Sequence, residues 1–210
     1  IPRLLLRYSL PAVAGFFAMA LYQFVDRVLV GQGVGTDGMA AVTCAYPLSI
    51  VALGIGLLLG TGTGNKISML LGQGNRDEAE RVLGQSLRLA GLMASVLTVI
   101  FVAFARPILR MCGADGAVLD LAVPFLRAIA VGQMFLIPII AMGNILRVQG
   151  RPGLGLLYTV GGTVLNAVLA TVAIFVLHWG VTGAGVATAL SQALNFIALI
   201  AFVQSPMSSL

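Results

Sequence analysis

Charge is scarce in this chain. Asp, Glu, Lys and Arg make up 9 % of its 210 residues, where soluble domains carry roughly 25 %. Twelve basic and 7 acidic side chains cannot coat a globule of this size with ionised groups, so most of its surface must face lipid. The same scarcity excludes a nucleic-acid partner. The basic residues stand at the ends of apolar segments and form no patch, so the net charge of +5 reads as membrane orientation. Cysteine is scarcer still, and Cys44 and Cys112 are too few for a disulfide framework. One histidine, with no His or Cys cluster at ligand spacing, leaves no metal site to name. No Gly-x-Ser-x-Gly elbow occurs, and Gly60-Thr-Gly-Thr-Gly-Asn-Lys66 fails the phosphate-loop pattern because Asn65 stands where Gly must precede Lys. No nucleophile and base converge, so the chain does not read as an enzyme, and no cofactor is implied.

What the chain has in abundance is apolar sequence, 59 % hydrophobic with a mean hydropathy of +1.03. A bilayer core of about 30 Å needs roughly 20 apolar residues per helix. Six stretches qualify, from Leu10 to Val30, Ala41 to Leu59, Leu87 to Ala105, Leu121 to Met142, Leu154 to Leu177 and Gly183 to Val203. The alternation and frequent turns of a lipid-embedded barrel are absent. The expectation is an all-α polytopic membrane protein, a single six-helix lobe over residues 1–210. The first stretch has no cleavage signature after it and reads as a retained helix.

Connectors fall at Gly31 to Gly38, Gly72 to Arg76, Arg106-Pro107 with Cys112 to Gly116, Gly150 to Gly153 and Trp179-Gly180. Arg3, Arg7, Lys66, Arg76, Arg81, Arg88, Arg147 and Arg151 then fall on one side, against Arg27, Arg106, Arg110 and Arg127 on or near the other. The positive-inside rule puts both termini in the cytoplasm.

Some features go beyond a plain bundle. Ala52, Gly56, Gly60, Gly64 and Ser68 recur at four-residue steps, a small-residue face that admits either a tight static crossing or a sliding seam. Asn75 to Glu78 resembles a capping box, and Arg81 and Arg88 share a face at which their stems can snorkel. Pro11, Pro47, Pro124 and Pro138 each remove a backbone donor in or near a span, and Pro11 is the candidate hinge of the first.

Asp26 is the most informative residue, because an ionisable group inside a span is costly and marks function by default. Tyr22 and Gln23 share its helical face. The competing reading is an interfacial acid paired with Arg27. Thr159, Gly162, Thr163, Asn166 and Ala170 form a stripe on the fifth span, and Thr188, Ser191, Gln192 and Asn195 one on the sixth. Any one of these serves equally as glue between helices, whereas their density beside an acid favours a hydrated cavity. Tyr22, Gln23, Thr163, Ser191, Gln192 and Asn195 are its candidate lining. His178 and Trp179 read as residues of the interfacial belt.

These residues resemble the amino-terminal lobe of the multidrug and toxic compound extrusion (MATE) family. The likeness rests on Leu10-Pro11 with Asp26 in Val25-Asp-Arg-Val-Leu-Val-Gly31, Gly72-Gln-Gly-Asn-Arg76, and Glu78-Ala-Glu-Arg81. It continues through Arg147-Val-Gln-Gly-Arg-Pro152, Leu165-Asn166 and Gly183-Ala-Gly-Val-Ala-Thr-Ala189, and so covers essentially the whole chain. The resemblance implies a secondary antiporter of the inner or plasma membrane that exports organic cations or drugs against entry of H⁺ or Na⁺. It places Asp26, Asn166 and Thr188 around the coupling site. Many members carry a second acid where this chain has Ala170, and its loss makes coupling to a single proton easier to defend than coupling to Na⁺, with the driving ion left open; a Tyr often found in the family is matched here by Phe125. Members have two lobes of six spans. One lobe alone is either a half-transporter that pairs with a second copy of itself as a homodimer or part of a longer protein. A flippase for lipids or lipid-linked substrates and a non-transporting assembly subunit are the alternatives.

Overall fold

The computed structural model describes residues 13, 17, 20, 21, 23–148 and 152–204. Among these, all regular structure is helical. The hinge candidate Pro11 and the lining candidate Tyr22 lie outside the described residues, as does Arg151.

Helix α1 is described continuously over 23–34. The connector expected from Gly31 to Gly38 shrinks to one residue. Gly35 takes φ +83°, a left-handed conformation that costs glycine nothing, and α2 starts at Thr36. Helix α2 runs Thr36–Gly72, 37 residues, or roughly 55 Å at about 1.5 Å per residue. It therefore continues well past the expected end at Leu59. The glycine-rich run beyond Leu59 stays helical despite its poor propensity because tertiary packing overrides it. Ala52, Gly56, Gly60 and Gly64 are buried, and a β-carbon at Gly56 would stand 3.0 Å from Ile140 Cβ and 3.4 Å from the Ile137 carbonyl. Small residues thus bring α2 close to the fourth-span helix. Ser68, the last of the series, is exposed.

Helix α3, Arg76–Ala103, starts earlier than the expected Leu87. Its first turns are polar and invisible to a hydropathy count, but the cap that begins them was legible. Asn75 Oδ1 accepts from the Glu78 N–H at 3.3 Å, and Asn75 Nδ2 donates to Glu78 Oε2 at 2.8 Å. Glu78 thus returns to the cap's side chain rather than to its backbone.

Where a loop was expected at Arg106-Pro107, a short helix α4 spans Ala105–Met111. Ala105 and Leu109 are buried in the core while Arg106 and Arg110 face outward, and Arg106 pairs with Asp120 at 3.2 Å on the surface. Helix α5, Gly116–Val148, is the central post and packs against α2, α3, α4, α6 and α7. Pro124 and Pro138 lie inside it, as Pro47 lies inside α2. Helix α6, Pro152–Thr171, widens into a π-helical turn over Val172–Val176, which the sequence did not announce. After His178, with φ +53°, α7 runs Gly180–Gln204.

Among the described residues, five helices are long and apolar enough to cross a membrane. They correspond to the second through sixth expected spans. Phe24, Leu58, Val99, Leu157 and Ile197 are exposed, as lipid-facing side chains must be.

Candidate functional site

The four helices α1, α2, α5 and α7 line a partly open cavity of about 110 Å³. Each contributes one face at helical spacing: Gln23, Asp26 and Arg27 from α1, Tyr46 and Ser49 from α2, Phe125, Ile129 and Gln133 from α5, and Thr188 and Gln192 from α7. Val42, Ala45, Ile50, Leu53 and Leu136 complete an otherwise apolar wall.

Three polar groups of this wall are unsatisfied. Asp26 Oδ1, Gln133 Oε1 and Gln192 Oε1 are buried and without a hydrogen-bond partner, and they are the three such side-chain atoms among the described residues. A buried acceptor left dry costs about 1–3 kcal/mol, more when charged. The three residues that carry them line the one cavity.

The competing reading of Asp26, an ion pair with Arg27, is not what the fold builds. Arg27 is exposed, its guanidinium carbon lies 4.8 Å above the Tyr46 ring, and it makes no ion pair with Asp26. Neighbours one position apart on a helix point in different directions.

Asn166 and Thr188 do come together, but in a different relation to Asp26 than the resemblance implied. Asn166 Nδ2 donates to Thr188 Oγ1 at 3.0 Å and to Ser191 Oγ at 3.3 Å. Thr188 donates in turn to the Ala184 carbonyl, and Ser191 to the Thr188 carbonyl. Thr188 reaches the cavity wall, while Asn166 stands behind it and does not line the cavity. Among the other lining candidates, Gln23 and Gln192 face the cavity. Thr163 bonds to the Thr159 carbonyl of its own helix, Ser191 serves the Asn166 cluster, and Asn195 donates to the Tyr158 carbonyl across α6 and α7. These three do not wall the space. Ala170 is fully buried in a seam with Ala173, Ala187 and Leu29.

Gln133, Tyr46 and Ser49 were missed. Gln133 carried a readable signal, because an uncharged amide in the middle of the fourth apolar run falls under the rule that singled out Asp26. Tyr46 and Ser49 carried none, since both occur freely along membrane helices. No group of three or more His, Cys, Asp or Glu converges among the described residues.

The family profile MatE matches residues 11–172. A curated relative, the multidrug export protein MepA of Staphylococcus saprophyticus, is 26 % identical over 200 residues, covering 95 % of this chain and 44 % of its own. The solved structure of the MATE multidrug transporter DinF-BH superposes with a TM-score of 0.90 at 32 % identity, covering 97 % of this chain and 46 % of that one. The outward-facing conformation of a multidrug resistance MATE family transporter of the MOP superfamily gives 0.87 at 29 % identity, over 98 % and 45 %. This chain spans less than half the length of the relatives it matches. With five helices among the described residues able to cross a membrane and a match over most of its length, the chain belongs to the MatE family and is a multi-pass protein of the cell membrane.

Proposed function

We propose that this lobe takes part in gradient-driven export of organic cations, with Asp26 as the group that couples export to ion entry. The observation that carries the reading is a buried carboxylate oxygen left unpartnered in a cavity walled by four helices. An acid so placed is expensive to keep unless its occupancy changes during function. Proton occupancy then biases two packings of the helices around it, and it does so only through a difference in affinity between them. Entry of a proton rather than Na⁺ is favoured by two features. The Ala170 seam offers no second carboxylate, and Asn166 commits its amide to Thr188 and Ser191.

A transport pathway needs a second wall, and in our reading a second copy of this chain supplies it, related by a two-fold axis along the membrane normal. The termini are cytoplasmic in this reading.

Reconstituted vesicles with an imposed pH or Na⁺ gradient test the coupling. Asp26→Asn keeps size and polarity but cannot titrate. We expect it to fold, to bind cationic dyes and to lose pH-driven export by at least about tenfold, since a site of this kind has no other acid among its lining residues. Wild-type rates for Asp26→Asn under both gradients would make Asp26 structural and end this reading.

A further inference from the structure

We propose that the first turns of α3 hold the head group of one phosphatidylethanolamine, its phosphate between Arg81 and Arg88 and its ammonium group at Asp77 and Glu80. These residues stand on the exposed side of α3, and none of them lines the Asp26 cavity.

The 28 residues of α3 span roughly 42 Å at about 1.5 Å per residue, against a hydrocarbon core of about 30 Å, so its charged start stands among the lipid head groups. Arg88 is the last ionisable residue before Arg106, which sets it at the edge of the apolar core. Ala79, Ser86, Ala90 and Ala94 are buried against the bundle. On the opposite face Arg81, Gln85 and Arg88 are exposed, and that face runs on into exposed Leu92, Val96 and Val99. At 3.6 residues per turn Arg81 and Arg88 point within about 20° of each other. Acyl chains lying along the apolar stripe therefore bring their phosphate to the two arginines. A groove on this face is lined by Asp77, Glu80, Arg81, Gly84, Gln85 and Arg88. A β-carbon at Gly84 would meet no neighbouring heavy atom within 4 Å, so the groove is open between the levels of the arginines. Its charges are not spent on each other. Among the described residues the one ion pair is Arg106 with Asp120, although Asp77 stands four positions before Arg81. Glu78 is engaged with the Asn75 cap, whereas Asp77 and Glu80 have no side-chain partner among the described residues.

The order of the charges selects the lipid. Outward from the hydrocarbon core the face presents an apolar stripe, then Arg88, Gln85 and Arg81, then the two carboxylates. Phosphatidylethanolamine presents acyl chains, a phosphate and a primary ammonium in the same sequence. Two guanidiniums and two carboxylates sum to zero charge, as does this head group. Guanidinium forks bind phosphate oxygens through charge-assisted hydrogen bonds, and their stems lie along apolar surface. The ammonium brings three N–H donors to Asp77 and Glu80. Phosphatidylcholine carries the same charges, but its trimethylammonium has no N–H to give. Phosphatidylglycerol lacks the cation altogether and leaves both carboxylates facing an anionic lipid.

The test uses the full chain in a non-ionic detergent, stripped of lipid and titrated with dioleoyl phosphatidylethanolamine, phosphatidylglycerol or phosphatidylcholine. Native mass spectrometry reads the lipid bound per chain. Wild-type protein should bind phosphatidylethanolamine about threefold to tenfold more tightly than either other lipid, the scale of one charge-assisted hydrogen bond. This comparison needs no variant. Arg81→Ala and Arg88→Ala should each lower phosphatidylethanolamine affinity by at least about threefold. Asp77→Lys combined with Glu80→Lys should reverse the order and favour phosphatidylglycerol, a gain that loss of folding cannot imitate. Arg110→Ala, which removes an exposed cation from α4, should change neither affinity nor order. Equal wild-type affinity for phosphatidylethanolamine and phosphatidylglycerol overturns the proposal. Phosphatidylcholine bound as tightly as phosphatidylethanolamine overturns it too, because the carboxylates then read no N–H donor. A doubly substituted chain that keeps the wild-type order has the same consequence.

Discussion

Asn166 and Gln133 are both amides buried in membrane helices, and they differ in whether their hydrogen bonds are made. Asn166 donates to two hydroxyls on α7, whereas Gln133 Oε1 accepts from nothing. The first is a fastener and the second a group in waiting. Asn166→Ala should therefore act on stability first, lowering the unfolding temperature in detergent by a loss of about 1 kcal/mol, the scale of interhelical polar contacts in membranes. Export should weaken and not vanish, because Thr188 keeps its bond to the Ala184 carbonyl at the cavity wall. A variant as stable as wild type but wholly inactive would place Asn166 in the coupling step itself. Asp26 was legible because charge in an apolar run is conspicuous. The division of labour between Asn166 and Gln133 was not, because one amide among apolar residues looks like another until its neighbours are known.

Helix boundaries follow local chemistry where a cap exists and tertiary packing where none does. The Asn75 cap on α3 is of the first kind, and Asn75→Ala should cost about 1 kcal/mol, read as a lower melting temperature with export at saturating substrate unchanged. Loss of export without loss of stability would show that the turn between α2 and α3 has a transport role. Gly56 is of the second kind. Its missing side chain lets α2 lie against Ile137 and Ile140 of α5, so Gly56→Val should destabilise by roughly 1–3 kcal/mol through overpacking, while Gly54→Val, which faces open space, should cost far less. Comparable losses at both positions would mean helix propensity dominates and the crossing is loose. The short helix α4 and the π-helical turn at Val172–Val176 had no readable signal. Burial of Ala105 and Leu109 holds the first, and the second ends where the Trp179 N–H reaches back to the Ala173 carbonyl.

The assembly we propose makes two measurable claims. Mass measurement in lipid discs should give two copies per particle for the active species, and a drug-exporting single copy would refute the pairing. A cysteine placed at Asn75, with Cys44 and Cys112 replaced by serine, should react only with reagents that enter the cytoplasm. Labelling from outside alone would invert the lobe.

The membrane class, the helical architecture, the approximate places of the second through sixth spans and the prominence of Asp26 were determined by sequence alone. Each depends on composition or on one residue's cost in lipid, and both are local properties. Tertiary structure decided which polar residues converge. It set Gln133 and Gln192 on the cavity that Asp26 lines, turned Arg27 toward Tyr46, and withdrew Asn166, Ser191 and Asn195 into contacts between helices. Rotation of each helix about its own axis makes that choice. With apolar residues on nearly every face, the sequence holds no strong stripe to set the rotation, and close packing against small residues such as Gly56 and Gly132 sets it instead.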